Sequence, residues 1–107
     1  MFENKQEQAK AILVAADIGE YDIERSLDEL EELTKTAQAE VIARVTQKRV
    51  AYETGTCIGE GKLKEVAEMC EKLEPDLIIF DHELTATQVR NIEEVTKIRT
   101  IDRTTLI

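Results

Sequence analysis

Asp76-Leu77-Ile78-Ile79-Phe80-Asp81-His82-Glu83-Leu84-Thr85-Ala86-Thr87-Gln88-Val89-Arg90-Asn91 is the stretch that decides how this chain folds. Leu77 to Phe80 is an unbroken apolar run directly after Pro75 and Asp76, the pattern of a short strand covered on both faces. It passes at once into a polar junction and a helix start at Thr85. A doubly covered strand feeding a helix is the repeating unit of a parallel α/β sheet. In such sheets ligands bind beyond the carboxyl ends of the strands. Asp81 and Glu83, with the chain's one histidine between them, are therefore where chemistry is sought first.

The same unit recurs on either side of this stretch. Ala11 to Ala16 reads as a first buried strand ending in Asp17, and Asp22 is a good cap for the helix that follows. Ile23, Leu27, Leu30 and Leu33 repeat at helical spacing to about Ala37. Glu40 to Val45 is a second strand, ending in Thr46-Gln47-Lys48-Arg49, and Val50 to Ile58 is turn-like and left unassigned. Gly59-Glu60-Gly61 opens a second helix whose inner stripe is Leu63, Val66, Ala67, Cys70 and Leu73. The third helix spans about Thr85 to Thr96, with Val89, Ile92 and Val95 inward, and Ile98 to Ile101 is a fourth strand ending in Asp102 and Arg103. The fold class expected is α/β: a three-layer, four-stranded, mostly parallel sheet, β-α-β-α-β-α-β, with helices on both faces. Strand order is not readable from the pattern, although 2-1-3-4 is the simplest. Residues 1–10 are expected to be a flexible tail, residues 11–107 the domain, and no helix is expected after the last strand.

At 107 residues with a formal charge of −9, the chain suits one domain and disfavours nucleic-acid binding spread over its whole surface. No apolar run is long enough to span a bilayer. Cys57 and Cys70 lack metal-ligand spacing and read as two reduced thiols of a cytoplasmic protein. Gly59-Glu60-Gly61-Lys62 at a helix start resembles a phosphate cradle, but it is not a P-loop. Thr56 stands where that motif needs glycine, and Leu63 where it needs serine or threonine. Asp17, Asp81, Glu83 and Asp102 follow strand ends on one edge, where they are candidates for a magnesium site or simply cap helices and pair with Arg103. His82 reads as a solvated loop residue or, alternatively, a general acid/base. Lys48 and Arg49 suit phosphate or carboxylate contact, and Gln88, Arg90 and Asn91 suit RNA or protein contact.

Four of these segments occur together in one known family. Thr46-Gln47-Lys48-Arg49, Ile58-Gly59-Glu60-Gly61-Lys62-Leu63-Lys64-Glu65, Phe80-Asp81-His82-Glu83-Leu84 with Thr85, Gln88, Arg90, Asn91 and Glu93, and Asp102-Arg103-Thr104 stand in that family's order and spacing. From about Ala11 to Ile107 the chain resembles the N-terminal domain of HflX-type GTPases, which are ribosome-associated proteins. The resemblance implies a non-catalytic first module of a longer GTP-binding protein, followed by a helical segment and a GTPase domain. GTP and Mg²⁺ would belong to that downstream domain, and no cofactor is expected in this chain. It carries no Walker A lysine-serine pair, no Asp-x-x-Gly switch and no Asn-Lys-x-Asp motif. The implied partners are the large ribosomal subunit with its rRNA and the protein's own downstream domains. Gln47, Lys48, Arg49, Gly59, Gly61 and Lys62 would meet RNA phosphate or a neighbouring domain. Asp81, Glu83, Gln88, Arg90, Asn91, Asp102 and Arg103 would orient that edge or lock the following segment. The alternative is an autonomous nucleotide-binding or hydrolysing domain built on the Gly59–Lys62 turn.

Overall fold

A computed structural model of the chain describes residues 8–106. The elements run β1 (Ala9–Asp17), α1 (Ile23–Thr36), β2 (Ala39–Lys48), α2 (Glu60–Leu73), β3 (Leu77–Phe80), α3 (Ala86–Thr96), β4 (Arg99–Asp102) and α4 (Arg103–Leu106). All three strand pairings are parallel, and the order is β2-β1-β3-β4. The three-layer α/β expectation holds, with the sheet wholly parallel. No helix among the described residues is long and apolar enough to cross a membrane.

The core follows from the period of two along β1, whose residues Ala11 to Ala16 are all fully buried. Ile12, Val14 and Ala16 join Ile78 and Phe80 under α2 and α3, against Leu63, Val66, Cys70 and Ile92. Ala11, Leu13 and Ala15 join Ile79 on the opposite face, against Ile23, Leu27 and Leu30 of α1. Burial of each large aliphatic side chain contributes about 1.5–3 kcal/mol, so the central strands carry much of the stability. In β2, Ile42 is an extra residue between the partners of Ala11 and Ile12, a bulge in an edge strand.

Element ends differ from the sequence reading in instructive places. β1 begins at Ala9, so the last two residues assigned to a tail, Ala9 and Lys10, are strand; Asp76 accepts from the Lys10 N–H at 2.7 Å. The rest of that tail, residues 1–7, lies outside the described residues. Thr85 is not the first helical residue but the cap of α3, in a reciprocal box with Gln88. β4 sits one residue later than expected, and a helical turn follows it where none was expected. The turn forms because Asp102 accepts from both the N–H and the hydroxyl of Thr105 at 2.9 Å. Leu73 and Val95, expected inside, are 40% and 43% exposed. They sit in the last turns of α2 and α3, just before the left-handed residues Glu74 and Lys97 end each helix.

Candidate functional site

Because every strand points the same way, the ends of β2, β3 and β4 and the start of α2 share one edge. On the β2 side, the Gln47 side-chain oxygen accepts from the Gly59 N–H at 2.9 Å. Arg49 donates to the Ala51 carbonyl at 2.9 Å and to Glu53 at 3.1 Å. A Cβ on Gly59 would lie 2.8 Å from Arg49 Nη1, the far end of a flexible side chain, so a side chain there would push the guanidinium aside. Gly61 meets only open space, and Lys62 pairs with Glu65 at 3.2 Å. The turn that resembled a phosphate cradle thus has its first N–H, its arginine and its lysine engaged within the chain. Lys48 is exposed, with no ion pair among the described residues.

Gln88 and Asn91 are turned toward the β2–α2 loop rather than outward. Gln88 donates to the carbonyls of Glu53 and Thr54 at 3.3 and 3.1 Å, and Asn91 to Gly55 at 3.0 Å. With the reciprocal backbone bonds between Glu53 and Cys57, they pin the segment that the sequence left unassigned and seat Cys57 and Ile58 in the core. Arg90 stands exposed on α3. A groove of about 400 Å³ remains between this loop, α2 and α3, floored by Leu63 and Val95.

On the β3–β4 side, Asp81 is buried and accepts from Arg103 Nε at 2.8 Å. Arg103 also donates to the carbonyl and hydroxyl of Ser26 at 2.8 and 3.2 Å, tying β3, α4 and α1 together. Asp81 Oδ2 is buried and has no partner among the described residues. Asp102 accepts from the Leu84 N–H at 2.8 Å. Burial pushes the Asp102 carboxyl up, but the N–H groups of Leu84 and Thr105 and the Thr105 hydroxyl outweigh it, holding it below its ordinary value. Glu83 is exposed, and Asp17 caps the Gly19 N–H at 3.0 Å. Of the four strand-end acids on this edge, Asp17, Asp81 and Asp102 are engaged separately and Glu83 faces solvent. Among the described residues no three acids, histidines or cysteines are grouped to hold a metal.

His82 is the largest departure from the sequence reading. Rather than being solvated it is buried, and its Nε2 accepts from the Ala16 N–H at 2.9 Å. A backbone N–H only donates, so Nε2 is bare and the ring proton sits on Nδ1. Nδ1 lies 3.2 Å from the hydroxyls of both Tyr21 and Tyr52. Burial lowers the imidazole pKa, Asp81 works against the shift and Arg103 adds to it. Burial raises the Tyr52 phenol, and burial together with Asp81 raises the Tyr21 phenol. The junction of β1 and β3 is the switch point of a 2-1-3-4 sheet, where ligands of such folds usually enter. Here one imidazole and two tyrosines close it. Neither tyrosine stands out in the sequence, since each lies in a loop without periodicity.

A parallel α/β module whose polar groups gather at the strand carboxyl ends is the class that this geometry defines. Residues 24–107 match the family described as GTP-binding GTPase N-terminal, and the chain belongs to that family. Its relatives place it among HflX-type N-terminal domains. It is 44% identical over 98 residues to GTPase HflX of Alkalihalophilus pseudofirmus, covering 90% of this chain and 23% of that one. It is 42% identical over 107 residues to GTPase HflX of Caldanaerobacter subterraneus, and 34% over 107 residues to that of Escherichia coli, covering all of this chain and 25% of each relative. The chain therefore spans about a quarter of the length of the curated relatives it matches. A type II dehydroquinase from Butyrivibrio crossotus superposes with a TM-score of 0.54 at 14% identity, covering 89% of this chain and 69% of that one, a likeness of fold alone.

Proposed function

We propose that this module contributes to binding of the large ribosomal subunit in the cytoplasm and to regulation of GTP turnover by the remainder of an HflX-type protein. GTP and Mg²⁺ would be held by that remainder. The observation that carries the reading is that residues of all four family segments lie along one edge, as Gln47, Gly59, Asp81 and Arg103 do. Lys48, and Arg49 on exchanging its Glu53 partner for phosphate, would meet RNA there, while the Asp81–Arg103–Ser26 tie keeps the edge in register with α1. A charge of −9 keeps the intrinsic RNA affinity low, so other parts of the longer protein would supply most of it.

Titration of large ribosomal subunits with this chain tests the reading. Two phosphate contacts give a Kd that rises roughly tenfold from 50 to 200 mM salt, and Lys48→Ala lowers the salt slope by about one contact's worth. Tight association indifferent to salt, or none at 50 mM, counts against it. Comparing GTP turnover of the longer protein with and without this module tests the regulatory half.

A further inference from the structure

The acid of this protein is not evenly spread. Residues 17–36, the β1–α1 loop with α1, hold eight carboxylates, Asp17 to Glu32, against Arg25 and Lys35, a net −6 of the chain's −9. Across from α1, Arg44 offsets part of this by pairing with Asp28 and Glu31 at 2.8 Å and with Glu24 at 3.7 Å, and Arg103 lies 3.9 Å from Glu29. Glu20 carries no ion pair or side-chain hydrogen bond among the described residues and stands exposed beside Tyr21.

Large apolar surface is exposed at the same place. Of the five large hydrophobic residues exposed among the described residues, Tyr21, Val50 and Tyr52 all stand at the strand carboxyl edge. Tyr21 and Tyr52 are 42% and 40% exposed, and Val50 is 99% exposed. Both hydroxyls lie 3.2 Å from His82 Nδ1 and share its one proton, which positions the rings before any partner arrives. Preordered aromatic rings lose little entropy on binding. Tyrosine faces attract cations, and the acids around them add to that attraction.

We propose that the Tyr21–Tyr52 surface docks a basic polypeptide segment, with an arginine or lysine stacked on the phenol rings and neighbouring cations running along the acidic face of α1. RNA suits the surface beside Tyr21 poorly, because its phosphates would face the exposed Glu20 and Asp22. The end of β2 thus supplies the cations and Tyr52, and the β1–α1 loop supplies Tyr21 and the acids that follow Asp17.

The sequence supplies a selective probe, since these are its only two tyrosines and it has no tryptophan. The test is titration of the chain with acetylated, amidated (Arg-Ala)6, with (Glu-Ala)6 and a 12-residue oligouridylate as comparisons. The expected result is a saturable change in tyrosine emission with (Arg-Ala)6 alone, weakening with salt. By anisotropy of the labelled peptide, Tyr52→Ala weakens binding about 3- to 10-fold, Glu20→Lys weakens it as well, and Tyr52→Phe stays within about twofold because the ring remains. Should Tyr52→Ala fail to fold, Tyr52→Leu carries the same expectation. No response to (Arg-Ala)6 overturns the proposal. So does an unchanged affinity in the alanine or leucine variant, which would mean that charge alone holds the peptide. A stronger tyrosine response to oligouridylate overturns it in favour of RNA.

Discussion

Replacing His82 by phenylalanine isolates what one buried imidazole does for the fold. The substitution keeps the ring but removes the acceptor of the Ala16 N–H, made at 2.9 Å where the surroundings are dry. An orphaned buried N–H costs about 1–3 kcal/mol. The two phenol contacts at 3.2 Å are long and reach half-exposed groups, so together they add about 1 kcal/mol. A total of about 2–4 kcal/mol corresponds to a drop in Tm of roughly 10–20 °C for a domain of this size. His82→Gln places an amide oxygen near the Nε2 position and recovers part of the loss.

The same imidazole gives the stability a pH dependence of known sign. Its pKa is lowered on folding from the ordinary 6.5, mainly by burial. Between the folded and unfolded values the unfolded chain binds the extra proton, so stability is full above about pH 6.5 and is lost as the pH falls toward the folded value. The slope is at most about 1.4 kcal/mol per pH unit for a single proton. Asp102, whose pKa is lowered from 3.8, contributes stability that is lost only as the pH falls below that value, outside this window. Acidification also relieves repulsion in a protein of charge −9, which acts in the opposite direction. The useful quantity is therefore the difference between wild type and His82→Phe, followed by urea denaturation from pH 7.5 to 5. With one histidine in the chain the assignment is unambiguous. A difference that stays constant across that range, or a destabilisation under about 0.5 kcal/mol, would refute the reasoning.

Three further outcomes are expected. Gly59→Ala displaces the Arg49 guanidinium and puts a poor cap at the start of α2, costing up to about 1 kcal/mol, whereas Gly61→Ala, in open space in the first turn of α2, is neutral or stabilising by up to about 1 kcal/mol; urea midpoints separate the two. Arg103→Ala leaves Asp81 buried without its cation and destabilises by about 3–5 kcal/mol, while adding Asp81→Asn recovers much of the loss in the double variant, as thermal melts of the full cycle would reveal. The Cys57 thiol is pushed up to about 11 by burial, against a small opposing pull from Arg49, and burial also raises Cys70, so neither reacts with Ellman's reagent at pH 8 until urea unfolds the chain.

What the sequence disclosed was whatever repeats. The apolar run Leu77–Phe80 and the helical stripes through Leu27 and Val66 locate the sheet and its two covering layers, because burial on both faces leaves no alternative pattern. The gathering of Arg49, Gly59, Asp81 and Arg103 on one edge follows from parallel strands alone. Their employment does not. Gln88 and Asn91 look like an outward polar face when counted along a helix, yet they serve a loop 34 to 36 residues earlier in the chain. His82 looks solvated because its neighbours in sequence are acids, while its burial comes from Tyr21 and Tyr52, 61 and 30 residues away. Such contacts carry no period, and no window along the chain contains them.

These long-range contacts explain how the polar edge is ordered by the chain's own side chains. Side chains close or tie each loop at the carboxyl end of the sheet: Gln47 to Gly59 and Arg49 to Glu53 within the β2–α2 connection, and Asn91 to Gly55, His82 to Tyr21 and Tyr52, and Arg103 to Ser26 between elements. A surface held this way loses little further entropy on docking. It also means that most of the cations and amides expected to recognise a partner are already committed. What remains outward is Lys48, Glu83 and Arg90, and the rings of Tyr21 and Tyr52 beside the acids of α1. Selectivity at this edge should therefore depend on the exposed rings and on the uncommitted charges beside them, and substitutions at Gln47, Gln88 or Asn91 should act first on stability and only through it on binding.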